Sequence, residues 1–252
     1  IGTNGELVAG NRERLLSCST AAGPALEGAR IRFGMRAAEG AVDKVVFNQD
    51  VELSVIGNVR PRGICGTAII DLVAEMLRVG ILDPTGRMRS PDECPPDLPD
   101  SLRRRVFEGE NGFCFLLADE SETDIEGPVF LTQRDVREVQ LAKAAIAAGA
   151  GILLKELGVS VEDLHEVLIA GAFGNFIRRS MAKRIGLLPD VPTERIRFVG
   201  NAAGAGARMA LYSRRSRARA ARIAEFTRYI ELAGRPDFQM EFASAMMFPG
   251  AS

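Results

Sequence analysis

The stretch IGTNGEL, residues 1–7, sets the architecture of this 252-residue chain. Its glycine-rich part, residues 2–5, has the composition of a tight turn, and a strand-like run follows at residues 6–9. A second run at residues 14–19 lies beyond a polar turn, so we predict a β-hairpin. Neither an initiating methionine nor a signal-peptide pattern opens the sequence, and we expect these residues to belong to something longer.

Composition excludes several classes of protein. The hydrophobic content of 46% is typical of a soluble α/β protein, and the net charge of −1 argues against a general attraction to polyanions. No apolar run reaches the roughly 18 residues that a membrane helix needs. The cysteines form no C-x-x-C pair, so neither a metal site made by this chain alone nor a disulfide is supported, and free thiols indicate a cytoplasmic protein. They are Cys18, Cys65, Cys94 and Cys114, and we expect Cys18 and Cys65 to be small buried hydrophobes.

Hydrophobic periodicity predicts strands first and then helices alternating with strands, which favours a mixed sheet flanked by helices. Thr132 and Asp135 are spaced like a capping box at the start of a long helix. Residues 83–111 contain many prolines and charges, and we predict an irregular, mobile surface excursion there. The remaining predictions are strands at 42–47, 51–56, 113–118, 128–132, 166–170 and 195–199, helices at 63–82, 132–157 and 178–186, and a final long helix after the turn at 200–207.

Small-residue turns recur at the ends of predicted strands. Three of them, at residues 63–67, 170–175 and 200–207, run directly into a helix, and the hairpin turn is a fourth. A helix start exposes unpaired N–H groups, and glycine lets a ligand approach the backbone. Four such turns favour a nucleotide held from several sides. None matches a Walker loop or a G-x-G-x-x-G fingerprint.

Several longer blocks resemble a known family. They are IGTNGEL, SCSTAAGPALEGA, GMRAAEGAV, GICGTAIID, LTQRDVREVQLAKAAI, VLIAGAFGNFI and ELAGRPDFQMEF. Together they resemble the carboxy-terminal ATPase domain of the reductive activators of corrinoid proteins. That family belongs to the superfamily of actin, sugar kinases and heat-shock chaperones, in which two ribonuclease-H-like lobes close on ATP.

The resemblance implies a function and a domain organisation. The whole of residues 1–252 would be the second ATPase lobe, with an aspartate just before Ile1. A [2Fe-2S] domain, a linker and a middle domain would precede it in the parent protein. Such proteins use ATP and Mg²⁺ to help reduce cob(II)alamin to cob(I)alamin on the corrinoid protein of a methyltransferase system. We expect the parent to be an enzyme and this chain alone to hydrolyse little ATP.

The resemblance also implies site residues. Asn4 and Glu6 would act at the phosphates and magnesium as catalytic residues, together with the turn residues Gly2 and Thr3. The GICGTA block would contribute Gly66 and Thr67, although Ala68 stands where glycine is expected. Other nucleotide contacts would come from Gln140 and Lys143 at the ribose, Gly171, Ala172 and Gly174 in the adenosine motif, and Asn201, Gly204 and Gly206 near the base.

Other interpretations of the chain stay open at this point. A phosphotransferase of the same superfamily, such as a sugar or acetate kinase, needs a positioned base, and no carboxylate clearly provides one. The arginine-rich residues 213–222 lack the aromatic side chains that stack on bases, so we expect a solvated or partner-facing helix there and no nucleic acid. A homodimer is compatible with the sequence, and His165 is expected at the surface.

Overall fold

The computed structural model describes residues 2–171 and 176–250. The strands are β1 (Gly5–Gly10), β2 (Leu15–Thr20), β3 (Ala41–Phe47), β4 (Val51–Val55), β5 (Gly63–Ile64), β6 (Val106–Gly109), β7 (Gly112–Ala118), β8 (Val129–Thr132), β9 (Val167–Ala170), β10 (Ile196–Gly200) and β11 (Thr227–Tyr229). The helices are α1 (Gly66–Arg78), α2 (Asp100–Arg104), α3 (Gln133–Leu157), α4 (Arg179–Arg184), α5 (Ala202–Tyr212), α6 (Arg214–Phe226) and α7 (Pro236–Ala245).

The predicted hairpin forms. Strands β1 and β2 pair antiparallel, and β11 adds to β2 in parallel. Alternate residues of β2 are buried, so Leu16 and Cys18 face helix α3 while their neighbours face outward. The hairpin is therefore fixed to α3 by one apolar face.

Three further small sheets complete a mixed α/β fold, as the sequence predicted. Strands β9 and β10 pair in parallel, β3 lies between β4 and β5, and β7 lies between β6 and β8. A single apolar core connects these sheets with α1, α3 and α4. No helix in the two described ranges combines the length and the apolarity needed to cross a bilayer.

Helix α3 begins where the sequence predicted. The Thr132 hydroxyl accepts the Asp135 N–H at 3.1 Å, and the Asp135 carboxylate accepts the Thr132 N–H at 2.8 Å. These two bonds satisfy donors that a helix start otherwise leaves unpaired. The long helix that carries the hairpin therefore has a fixed first turn.

Two predictions need correction. The segment 83–111 is irregular over most of its length, but it ends in α2 and β6, and Met88, Leu98 and Leu102 bury their side chains in the core. The single long helix predicted at the end of the chain is instead α5 and α6, separated at Ser213, followed by β11 and α7. The Ser213 side chain caps α6 by accepting the Ser216 N–H at 3.1 Å.

The arginine-rich stretch forms α6. Neither α5 nor α6 contains a buried residue. The two helices contact each other through the Arg217 side chain, which donates to the Ala210 carbonyl at 3.2 Å. This exposure agrees with a solvated or partner-facing helix.

Candidate functional site

The turn before β1 is closed by a neighbouring loop. The Thr3 N–H donates to the Glu27 carboxylate at 2.8 Å, and the Thr3 hydroxyl donates to the same group at 3.2 Å. The Thr3 carbonyl, which belongs to the following peptide group, accepts the Gly23 N–H at 2.8 Å. The donors of Thr3 that the resemblance assigned to phosphate thus hold a carboxylate here. Sequence reasoning missed Glu27, because only the fold brings it to Thr3, 24 residues earlier in the sequence.

Asn4 and Glu6, the predicted catalytic residues, are exposed beside this turn. The Asn4 carbonyl accepts the Gly2 N–H at 3.0 Å, which tightens the bend. The Ser19 hydroxyl lies 3.5 Å from the Glu6 carboxylate, across the hairpin. Both side chains are accessible to a ligand at the turn.

The ends of β9 and β10 lie side by side. The Gly171 N–H donates to the Gly200 carbonyl at 2.8 Å, so the turn after β9 meets the turn after β10. Gly171 has a φ of 102°, and no atom lies within 4 Å of the position its Cβ would take, among the residues described. An open, left-handed glycine at a strand end is what a close backbone approach to a ligand requires.

Helix α5 starts at this same strand end. The Asn201 side chain caps the helix by accepting the Gly204 N–H at 2.9 Å. Gly206, two residues further along α5, is exposed, and no described atom lies within 4 Å of its Cβ position. The structure therefore brings together Gly171, Asn201 and Gly204 of the predicted adenosine site. Ala172 and Gly174, the other two predicted contacts, lie outside the described residues.

Gly66 and Thr67 do not contribute an open site. Both are buried, and the Thr67 hydroxyl donates to the Asp43 carbonyl of β3 at 2.8 Å. The turn at the start of α1 therefore joins the helix to its sheet. One oxygen of the Asp43 carboxylate is buried without a hydrogen-bond partner in the described part of the chain.

Gln140 and Lys143 are likewise placed differently from the prediction of a ribose contact. Gln140 donates to the carbonyls of Thr85 and Met246 at 3.0 and 2.7 Å. Lys143 donates to the Met247 carbonyl, and its ammonium lies 4.9 Å from the centre of the Phe248 ring. Both side chains are buried and hydrogen-bonded, so they hold the chain after α7 against α3.

The buried Lys143 should make the free energy of unfolding depend on pH. Burial lowers the pKa of its ammonium from 10.5 to about 8. The unfolded chain therefore binds more protons than the folded one between these values, and the free energy of unfolding should rise with pH across that window. Urea unfolding of the protein and of Lys143→Met at several pH values from 7 to 10.5 tests this. The parent should gain stability relative to the variant as pH rises, and a constant difference would contradict the assignment.

The described residues hold no group of three or more histidine, cysteine, aspartate or glutamate side chains arranged to bind a metal. All four cysteines are buried and unbridged. Burial raises the pKa of the Cys18 thiol to about 11, which makes it inert. A magnesium ion bound together with a nucleotide would therefore take its ligands mainly from phosphate and water, with one or two carboxylates of the protein assisting.

Comparison with known proteins identifies the family. Residues 1–252 match the family described as "C-terminal domain of RACo the ASKHA domain". The chain belongs to this family. Its resemblance to the reductive activators of corrinoid proteins is thereby confirmed, and ASKHA domains are nucleotide-binding domains.

Two relatives of this ASKHA domain are named for their action on corrinoid proteins. The chain is 39% identical over 249 residues to the "Corrinoid activation enzyme RamQ" of Eubacterium limosum, covering 98% of the chain and 42% of that protein. It is 29% identical over 231 residues to a "[Co(II) methylated amine-specific corrinoid protein] reductase" of Methanosarcina barkeri, covering 82% and 37%. The chain thus spans about two fifths of the length of these relatives.

A solved structure shares the fold of this ASKHA domain. It is that of a "Reductive activator for corrinoid,iron-sulfur protein", which superposes with a TM-score of 0.87 at 38% identity. The match covers all of the chain and 39% of that protein. The expected ribonuclease-H-like lobe, built of small mixed sheets and helices, is therefore confirmed.

Proposed function

We propose that this domain is the ATP-binding lobe of an ATP-dependent reductive activator, which reduces cob(II)alamin to cob(I)alamin on a corrinoid protein. The observation that supports it most is the junction of the β9 and β10 ends, where Gly171 meets the capped start of α5. There a nucleotide can approach backbone groups without displacing any side chain of the residues that the structure describes. The parent protein would be cytoplasmic, and a [2Fe-2S] domain elsewhere in it would deliver the electrons.

A nucleotide fits the accessible turns. In the part of the chain that the structure describes, the N–H groups of Ala202 and Ala203 at the start of α5 have no protein acceptor. Such groups, together with the helix dipole, favour negative charge. The exposed Thr3 and Asn4 provide a second set of polar groups. Bound ATP with Mg²⁺ would supply the free energy for an unfavourable electron transfer, while these residues bind and orient it.

The function is tested by incubating the intact protein with a reductant, ATP and a corrinoid protein in the cob(II)alamin state. We expect ATP-dependent formation of cob(I)alamin, seen by its absorption. A parallel panel of sugars and acetate tests the phosphotransferase interpretation. Phosphorylation of one of these acceptors, with no ATP-dependent reduction, would contradict the proposal.

Gly171→Val should weaken ATP binding by the intact protein by roughly 1–3 kcal/mol, the usual scale of an overpacking clash. The valine side chain would enter the open space beside the β9 and β10 ends. It would also strain a backbone with a φ of 102°. Isothermal calorimetry with ATP measures the affinity, and thermal unfolding measures the strain.

Gly158→Val is the matched control. Gly158 also has a positive φ, 72°, and no described atom lies near its Cβ position, but it caps the far end of α3. The Gly158→Val variant should lose about as much stability as Gly171→Val and keep the parent's affinity for ATP. If both variants bind ATP equally well while folded, Gly171 does not border the nucleotide.

A further inference from the structure

Glu27 is an anion held at the proposed phosphate turn. Its carboxylate accepts both the N–H and the hydroxyl of Thr3, at 2.8 and 3.2 Å. It also lies over Gly2, where a Cβ would come within 2.9 Å of the nearer carboxylate oxygen. The carboxylate therefore covers the glycine and engages both donors of its neighbour, as an anionic ligand of this turn would.

The position of Glu27 is set by the fold. It ends a short 3-10 helix, Pro24–Glu27, in which Ala25 and Leu26 are buried in the core. The Gly23 N–H, from the residue before this helix, donates to the Thr3 carbonyl at 2.8 Å and so also holds the loop against the turn. No lysine or arginine forms an ion pair with Glu27 among the described residues, so its charge is not neutralised by a salt bridge there.

Two anions cannot share these donors without a cost. A phosphate that bonds to Thr3 would stand a few ångströms from the Glu27 carboxylate. At about 4 Å, even in a water-like medium, like charges reduce an affinity about five-fold. A divalent cation on the phosphates lowers that repulsion, since it cancels two of their charges.

We propose that Glu27 occupies the phosphate donors of Thr3 in the nucleotide-free protein and makes the site select the magnesium complex over the free nucleotide. This inference rests on the proposed function, because it requires that Thr3 faces phosphate. Glu27 acts on specificity through charge and does not take part in the chemistry. Its role is separate from those of Asn4 and Glu6.

The test is Glu27→Gln in the intact protein, with ATP titrated calorimetrically at low ionic strength, once in EDTA and once with saturating Mg²⁺. Glutamine keeps the size and an oxygen that accepts the Thr3 N–H, but it removes the charge. We expect the affinity for metal-free ATP to rise about five- to ten-fold and the affinity for the magnesium complex to rise less. Glu27→Ala, which also removes the charge, should shift the two affinities in the same direction.

Glu13→Gln is the matched control, because Glu13 lies at the opposite end of the same hairpin and is exposed. It should leave both affinities unchanged. If Glu27→Gln and Glu27→Ala bind metal-free ATP no more tightly than the parent, the inference is wrong even where the parent binds the magnesium complex. If the parent and the variants bind no nucleotide in either condition, both the inference and the proposed function are wrong.

Discussion

Replacing Arg178 with methionine is expected to destabilise the protein by roughly 3–5 kcal/mol, the scale for breaking a buried ion pair. The Arg178 guanidinium donates to the Asp71 carboxylate at 2.8 Å and also to the Val45 carbonyl. The Asp71 side chain is only 3% exposed, and burial raises the pKa of this carboxyl despite the arginine. Without Arg178 the carboxylate would be left buried and unneutralised, at the contact between α1 and α4. Urea unfolding followed by circular dichroism measures the loss.

The charge explanation for Arg178 has its own control. Asp71→Asn combined with Arg178→Met should recover part of the lost stability, because no buried charge then lacks a partner. The pKa of Asp71 should rise further in Arg178→Met, so the deficit of that variant should shrink as pH falls. A loss below about 1 kcal/mol, far under the range for a broken buried pair, would show that Asp71 is not desolvated as described.

Gly149→Val is expected to cost about 3 kcal/mol, because α3 contacts the hairpin at this glycine. A Cβ on Gly149 would come within 2.4 Å of the Thr20 methyl group and 3.3 Å of Leu7. Thr20 cannot withdraw easily, since it is buried and its hydroxyl donates to the Gly5 carbonyl at 3.2 Å. Overpacking here would push the hairpin away from its supporting helix. The free energy of unfolding from urea titrations tests this.

The comparison is Gly151→Val, which places the same side chain two residues further along α3. Among the described residues, a Cβ on Gly151 would meet just the end of the Glu241 side chain, at 3.6 Å, so Gly151→Val should change stability by about 0.5 kcal/mol or less. Thr20→Ser removes the clashing methyl group and keeps the hydroxyl, and it should restore part of the stability of Gly149→Val. Equal losses at the two glycines would contradict the close packing.

Local patterns were sufficient to predict much of the fold. The hairpin follows from alternation and turn composition, and the start of α3 follows from Thr132 and Asp135, which bond to each other within one helical turn. Such features depend on residues close together in the sequence. The break at Ser213 was missed because the alanine- and arginine-rich segments on both sides of it favour helix, and the capping bond to Ser216 marks the new start.

Residue roles that depend on burial were harder to predict. Gln140 and Lys143 have the spacing of a ligand-binding pair, but the chain after α7 covers them, and its carbonyls lie more than 100 residues away in the sequence. The Thr67 hydroxyl likewise donates to the carbonyl of Asp43, which lies 24 residues earlier on β3. Glu27 was missed for the same reason, since only the fold brings it to Thr3. In contrast, the strand–turn–helix pattern predicted turns at the ends of β9 and β10, and the parallel pairing of these strands brings Gly171 and Asn201 together.

If the strand-end turns of this lobe hold the nucleotide, magnesium ATP must protect their backbone amides, and amide hydrogen exchange of the intact protein with and without magnesium ATP measures this. We expect slower exchange at residues 2–6 and 200–205 when the nucleotide is present, with little change at residues 63–68. Protection confined to residues 140–143 and 246–248, or no change at the turns under saturating nucleotide, would contradict it.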